Sequence, residues 1–245
     1  MATSPGVRTG LWVGLATGLY GVSFGALGVA SGLDVWQTCA LSLLMFTGGS
    51  QFAFIGVLAG GGAGVAAWAA ASLLGVRNGV YGMRLKAWLR PTAAAVPAMA
   101  QLTIDESMAV STAQDEPAER WSGFWAAGLG VFVCWNLATL LGALAGNVVG
   151  DVRAWGLDGA AVAAFVGLTW PHLKARDPVV IAVVSAAATI LAVPLVPPGV
   201  PILLAGLVAV AAHLLRERPG RAGSCRTAGI ERGQRGERLG RAGSS

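Results

Sequence analysis

Charge is scarce in this sequence. Asp, Glu, Lys and Arg make up 12% of its 245 residues, about half of the roughly 25% usual in soluble proteins. Long stretches have almost none. Asp34 is the one charge between residues 9 and 76, residues 122–173 hold only Asp151, Arg153 and Asp158, and residues 178–215 hold none. A soluble helix needs a polar face toward water, and these stretches offer none, which excludes a soluble protein. Apolar runs of about 20 residues span a hydrocarbon core of about 30 Å. The short alternating segments of a membrane β-barrel are missing as well. The expected fold class is therefore all-α, a polytopic bundle of transmembrane helices.

Other absences narrow the function. The three cysteines, Cys39, Cys134 and Cys225, stand far apart and form no CxxC or His/Cys cluster, so neither a disulfide framework nor a metal site is read. There is no GxxxxGK[ST] loop, hence no nucleotide site in the chain itself. No catalytic constellation and no cofactor motif emerge, and the chain does not read as an enzyme. The net charge of +5 resides in residues 216–245, where eight Arg face three Glu, while residues 1–215 balance. A basic tail is not a basic face on a folded domain, so nucleic acid is not expected as a partner. The first apolar stretch is followed by further spans and reads as a helix rather than a cleaved leader.

The organisation follows: a short segment 1–10, a transmembrane domain 11–215, and an Arg/Gly/Ser-rich tail 216–245 whose composition reads as disorder. Seven spans are expected at 11–31, 37–59, 63–83, 122–146, 157–173, 178–196 and 200–215. Trp36, Trp88, Trp121, Trp155 and Trp170 stand at their ends, as in interfacial aromatic belts. Arg84, Lys86, Arg90 and Arg120 follow span 3, Lys174 and Arg176 follow span 5, and the tail is Arg-rich. With seven spans these regions share one side, which the positive-inside rule makes cytoplasmic. That puts the N-terminus outside and the C-terminus inside, in a bacterial cytoplasmic membrane, the last point suggested by Arg outnumbering Lys 15 to 2. Residues 24–79 and 165–218 share a layout of helix end, second span, uncharged Gly/Pro loop and third span ending in Arg. Two such units around one odd helix give a 3+1+3 inverted repeat, an arrangement of secondary transporters.

Span 1 carries Gly14, Gly18, Gly21, Gly25, Gly28 and Gly32 at spacings of three and four. They form one helical stripe, suited to close packing of another backbone. Within span 2, Thr47-Gly48-Gly49-Ser50-Gln51 interrupts the apolar run near the midplane. The Gly pair weakens the helix, and Ser50 is placed to cap a new half beginning at Gln51-Phe52. The freed N–H groups and positive dipole end suit a carboxylate; a Gly-mediated helix crossing is the other reading. In span 3, Arg77 and Asn78 precede Tyr81 among glycines. Asp105 and Glu106 lie in the link between spans 3 and 4. That link is either a solvated amphipathic helix or a segment that dips into the membrane and sets a carboxylate near Arg77, as a proton or amine partner. Asp115, Glu116 and Glu119 read as solvated.

Five stretches together resemble the AzlC family of branched-chain amino acid exporters: Gly21-Val22-Ser23-Phe24-Gly25, Leu44 through Phe52, Arg77 through Gly82, Leu102 through Glu106, and Trp170-Pro171. The resemblance covers residues 10–215. It implies export of valine, leucine, isoleucine or analogues, with a small AzlD-type membrane partner beside the lipid bilayer; a homo-oligomer stays open. It implies substrate contact by Gly48, Gly49, Ser50, Gln51 and Phe52, with Phe24, Phe46 and Phe54 as further apolar neighbours. It adds Arg77, Asn78 and Tyr81, with Asp105 or Glu106 holding the ammonium or a coupling proton. Ile104 stands between Thr103 and Asp105 where some relatives have Thr-Asp-Glu directly, so which carboxylate faces a cavity is open. A subunit needing an ATPase partner, and a channel, are the alternatives.

Overall fold

The computed structural model describes residues 4–149, 166, 170, 173–197 and 200–216, and among these every regular element is helical. The expected span 157–173 falls almost wholly outside the described residues, and the tail beyond residue 216 does so entirely.

The first rod consists of α1 (Pro5–Leu19) and α2 (Gly21–Ala30). Pro5 fits the first helical position, where its missing N–H would be unpaired anyway, and Ser4 Oγ accepts from Val7 N–H at 3.3 Å. At Tyr20 the turn tightens: its N–H bonds the Thr17 carbonyl and its carbonyl takes the Ser23 N–H. The long helix α8 (Pro117–Val149) runs alongside. A Cβ built on Gly10 would lie 2.7 Å from Ala127 N, on Gly14 2.8 Å from Gly130 C, and on Gly21 2.6 Å from Trp135 O. Only a residue without a side chain lets the backbones approach this closely. The neighbours climb in the same order on both helices, from Gly6 beside Glu119 to Gly25 beside Thr139, so the two rods are parallel.

The stripe on span 1 is thus a packing seam, with Gly28 meeting Thr38 of the next helix. Gly32 is not part of it. It adopts φ 96°, with open space around it, and closes the end of α2. Glu119 is not merely solvated either. Its Oε2 accepts the Gly6 N–H at 2.8 Å, a carboxylate at the positive end of a helix dipole.

The second expected span does not cross the bundle. Asp34 and Gln37 cap each other's backbone N–H groups at 2.7 and 3.0 Å to start α3 (Val35–Leu44). This helix runs back along α8: Ser42 Oγ is 3.3 Å from Thr139 Oγ1, and the Phe46 ring is 5.0 Å from Phe132. The chain then reverses at Gly48, whose φ of 62° suits glycine alone. Helix α4 (Gly49–Ala59) returns to the end it came from, with Ser50 by Gly75 and the Phe54 ring 5.5 Å from Trp68. Both neighbours lie on α5 (Gly64–Leu89), which runs the whole way back and brings Trp88 beneath Arg120, 5.5 Å away at the start of α8. Residues 37–59 are therefore a re-entrant hairpin. Gln51 Nε2 reaches the Ser42 carbonyl at 3.3 Å, whereas nine residues of straight helix span about 13 Å. The break falls in the expected pentad, but the new helix starts at Gly49 behind Gly48, not at Gln51 behind Ser50.

A second hairpin enters from the opposite end. Helix α6 (Val96–Gln101) rises beside α5, Leu102 meets Gly128 of α8, and α7 (Asp105–Thr112) descends to bring Val110 against Gly123. Of the two readings of this link, the structure has the one that dips inward. The N-terminus, the C-terminal end of α5 and the start of α8 consequently share one end of the bundle. The sequence-based count had set the N-terminus opposite the Arg84–Arg120 link. It took residues 37–59 as a through-helix, and the reversal at Gly48 removes that crossing.

Farther along the chain, α9 (Arg176–Ala192) and α10 (Val200–Arg216) pack together, with Gly206 of α10 close to Leu73 of α5. Helix α9 is unbroken, unlike residues 37–59, its counterpart in the layout repeat. The outer faces are apolar: Leu11, Trp12, Leu15 and Leu19 on α1, and Val133, Leu137 and Leu141 on α8, are exposed. Pro5–Ala30 and Pro117–Val148 are long and apolar enough to cross a membrane, and such continuous apolar surface belongs in lipid rather than water. The seam makes a graded prediction. Gly14→Ala lowers stability by about 1–3 kcal/mol through overpacking against the Gly130 backbone. Gly56→Ala, where a Cβ meets nothing within 4 Å, costs nothing and gains up to about 1 kcal/mol of helix propensity. Unfolding in mixed micelles reads both, and equal effects would refute the seam.

Candidate functional site

Two chain reversals inside an apolar bundle strand backbone polar groups, and an unpaired buried amide is costly. Side chains meet that need. At the first tip, fully buried Gln51 takes the Gly48 N–H on Oε1 at 3.2 Å and donates from Nε2 to the Ser42 carbonyl. At the second, Asn78 Nδ2 donates to the Thr103 carbonyl at 3.0 Å, and Thr103 Oγ1 to the Met99 carbonyl at 2.6 Å. Ser107 Oγ accepts the Ile104 N–H at 3.0 Å and donates to the Leu102 carbonyl at 2.7 Å. Gln101 ties the hairpins together, its Nε2 2.7 Å from the Leu43 carbonyl.

Between the tips lies a cavity of about 290 Å³. The first hairpin lines it with Thr47, Gly48, Gly49 and Phe52, the second with Asp105 and Glu106. Ala16, Thr17 and Tyr20 of the first rod and Trp135 of α8 complete the wall. The wall is an aromatic cluster: Phe52 is 5.4 Å from Tyr20, 5.5 Å from Phe24 and 6.2 Å from Trp135, centroid to centroid. Helix α4 starts at the cavity with no acidic residue in its first turn, so its positive end is free to meet an anion. Helix α7 starts there too, but Asp105 and Glu106 occupy its own first turn. Tyr20 Oη, Thr47 Oγ1 and Trp135 Nε1 are buried without a hydrogen-bond partner among the described residues.

Asp105 pairs with Arg77, Oδ2 to Nη2 at 2.6 Å, and the Arg77 guanidinium stands 5.9 Å from the Tyr81 ring. Arg77 is partly exposed, so the pair positions Asp105 rather than supplying much stability. Glu106 stands next to Asp105 in the first turn of α7 and lines the cavity beside the Arg77–Asp105 pair.

The expected site residues thus divide. Gly48, Gly49, Phe52, Asp105 and Glu106 line the cavity. Ser50 and Gln51 are buried behind its wall, 2% and 0% exposed, with Gln51 committed to the backbone. Arg77 and Tyr81 reach Asp105 from α5, and Asn78 holds the second tip. Phe24 joins the aromatic cluster, while Phe46 packs on Phe132 and Phe54 on Trp68. Sequence reading missed Tyr20 and Trp135 as liners, and named Thr47 only as part of the break in span 2. The one available signal was a polar atom on each, deep in an apolar run. The three elements meet only through the parallel pairing of the first rod with α8, which no local pattern announces.

Compared with protein-family models, residues 13–149 match the AzlC model, described as AzlC protein. No curated protein and no solved structure matches the chain.

Gln51 offers a sharp test of the first tip. Gln51→Leu keeps the volume but strands the Gly48 N–H and the Ser42 carbonyl, and should cost about 1–3 kcal/mol for each group. Equilibrium unfolding measures it, and a loss below about 0.5 kcal/mol contradicts the fastening role.

Proposed function

Since the chain belongs to the AzlC family, a family associated with membrane transport and not with enzymatic activity, we propose that it is a secondary transporter exporting branched-chain or similar hydrophobic amino acids across the bacterial cytoplasmic membrane. The carrying observation is the cavity between two re-entrant tips, with carboxylates on one tip, a helix start without an acidic residue on the other and an aromatic wall between. Non-helical backbone at membrane depth persists where it lines a cavity or is buried in protein, and helix starts at such breaks hold anionic substrate groups. The substrate carboxylate sits at Gly48, Gly49 and the start of α4. The ammonium sits at Asp105 or Glu106, and the side chain lies against Phe52. Glu106, the cavity-lining carboxylate beside the Arg77–Asp105 pair, is the coupling group.

The orientation reading changes with the fold. Arg8, Arg84, Lys86, Arg90 and Arg120 gather at the end that holds the N-terminus, and positive residues face the cytoplasm. The N-terminus is then inside. The expected span 157–173 followed by α9 and α10 also returns the tail to the inside. Alternating access follows from movement of the hairpin tips against the rigid seam of the first rod and α8. A small AzlD-type membrane protein is the proposed partner.

Export is measurable in proteoliposomes loaded with labelled leucine under an imposed proton gradient. Wild-type protein should move leucine, and Asp105→Asn and Glu106→Gln should each slow it at least about tenfold, the size of a lost charge-assisted contact. Glu106→Gln should also cancel the dependence on the gradient. Rates within twofold of wild type in both variants would remove these residues from the mechanism.

A further inference from the structure

Several of the polar atoms that lack partners belong to the cavity wall. Seven buried side-chain N or O atoms have none among the described residues, and three of them belong to residues that line the cavity: Tyr20 Oη, Thr47 Oγ1 and Trp135 Nε1. Buried polar groups are paired in the large majority of cases, and each exception calls for a reason. We propose that Tyr20, Thr47 and Trp135 form a subsite that reads a free carboxylate, so that the cavity selects zwitterions over the matching amines and amides. This rests on the reading of the cavity as an amino-acid site, and it assigns selective contacts to Tyr20 and Trp135, outside the motifs that point to that reading, and to Thr47 within one of them.

The chemistry of the three atoms supports an acceptor with negative charge. An indole N–H is a donor only, and the Tyr and Thr hydroxyls each have a proton to give. A carboxylate presents two oxygens with about four lone-pair sites, enough for all three donors together with an N–H from the start of α4. That helix is 11 residues long and brings no acidic residue in its first turn. An ammonium would be repelled there, whereas Asp105 and Glu106 on the other tip attract one. The ligand's two charges therefore have separate destinations. Trp135 is 4% exposed, and its ring is stacked 6.0 Å from Phe24 and lies 5.9 Å edge-on from Tyr20. Its N–H is held in place before any ligand arrives, which reduces the ordering cost of binding. A carboxamide offers one acceptor oxygen and an NH₂ that opposes a donor. A simple amine offers no acceptor. Rejection by unpaired donors is strong discrimination, because the site's buried groups stay unsatisfied.

The experiment uses the full chain in nanodiscs and compares the affinities of L-leucine, L-leucinamide and 3-methylbutylamine. Trp135→Phe, Tyr20→Phe and Thr47→Val remove one donor each at nearly constant shape. Wild-type protein should prefer leucine to both analogues by more than about tenfold. Each variant should weaken leucine about tenfold, the worth of one hydrogen bond to a charged group, and leave leucinamide within about twofold. Phe24→Leu, which alters shape without removing a donor, should weaken all three ligands together. Equal binding of leucine and leucinamide by wild type overturns the subsite and leaves the transport reading standing. So does a common shift of both ligands in the donor variants, or unchanged leucine binding in all three, which would mean that the donors hold only water. Failure of wild type to bind any aliphatic amino acid overturns the transport reading and the subsite with it.

Discussion

A chain that turns back inside an apolar bundle must pair its own backbone there, because water is not available to do it. That requirement governs the described part of this protein. Two reversals, at Met45–Gly48 and at Leu102–Ile104, leave amides and carbonyls without helical partners. Gln51, Asn78, Gln101, Thr103 and Ser107 supply them. None of these five side chains is listless filler in an apolar sequence; each is polar because a particular backbone group next to it needs a partner. Once the tips are fastened, the space between them is fixed, and so are the residues that border it.

The motif residues therefore serve two purposes in close proximity. Some hold the tips, and others line the cavity. In the first tip the two alternate along a few residues, with Gly48 and Gly49 open to the cavity, Gln51 turned to the backbone and Phe52 back in the aromatic wall. In α5, Asn78 fastens the second tip while Arg77 orients Asp105 from the adjacent position. Around them stands a different kind of structure. The first rod and α8 interlock through glycine, with no room for adjustment. Close-packed elements behave as rigid bodies, whereas short helical hairpins held by a few side-chain bonds have lower local stability. The proposed alternating access uses that division, with the tips moving against a fixed seam.

Much of this was legible beforehand. The paucity of charge fixed the helical membrane class, the glycine spacing on span 1 marked a packing seam, and the Thr47–Gln51 pentad marked the break. The motifs brought Arg77 and Asp105 into one site, and they form an ion pair. What was not legible is direction. An apolar stretch of 23 residues at 37–59 has the length of a crossing, and length alone does not distinguish a through-helix from a hairpin of two short ones. The sign of φ at Gly48 decides it, and Gly permits either sign. That one residue carried the expected position of the N-terminus with it, since each crossing inverts everything upstream. The aromatic wall was hidden for a related reason. Tyr20, Phe52 and Trp135 come from three elements whose neighbourhood depends on the pairing of the first rod with α8.

Residues 37–59 enter and leave the bundle on one side, and everything built on the cavity depends on it. In a cysteine-free background placed in sealed, oriented vesicles, Ser31→Cys and Gly60→Cys stand at the two mouths of the first hairpin, and a membrane-impermeant maleimide reports the side of each. The re-entrant fold predicts that both label from the same side, the external one, while a cysteine at Ser4 labels from the cytoplasmic side. Labelling of positions 31 and 60 from opposite sides would mean that the segment crosses the membrane, and would contradict the fold and the site built upon it.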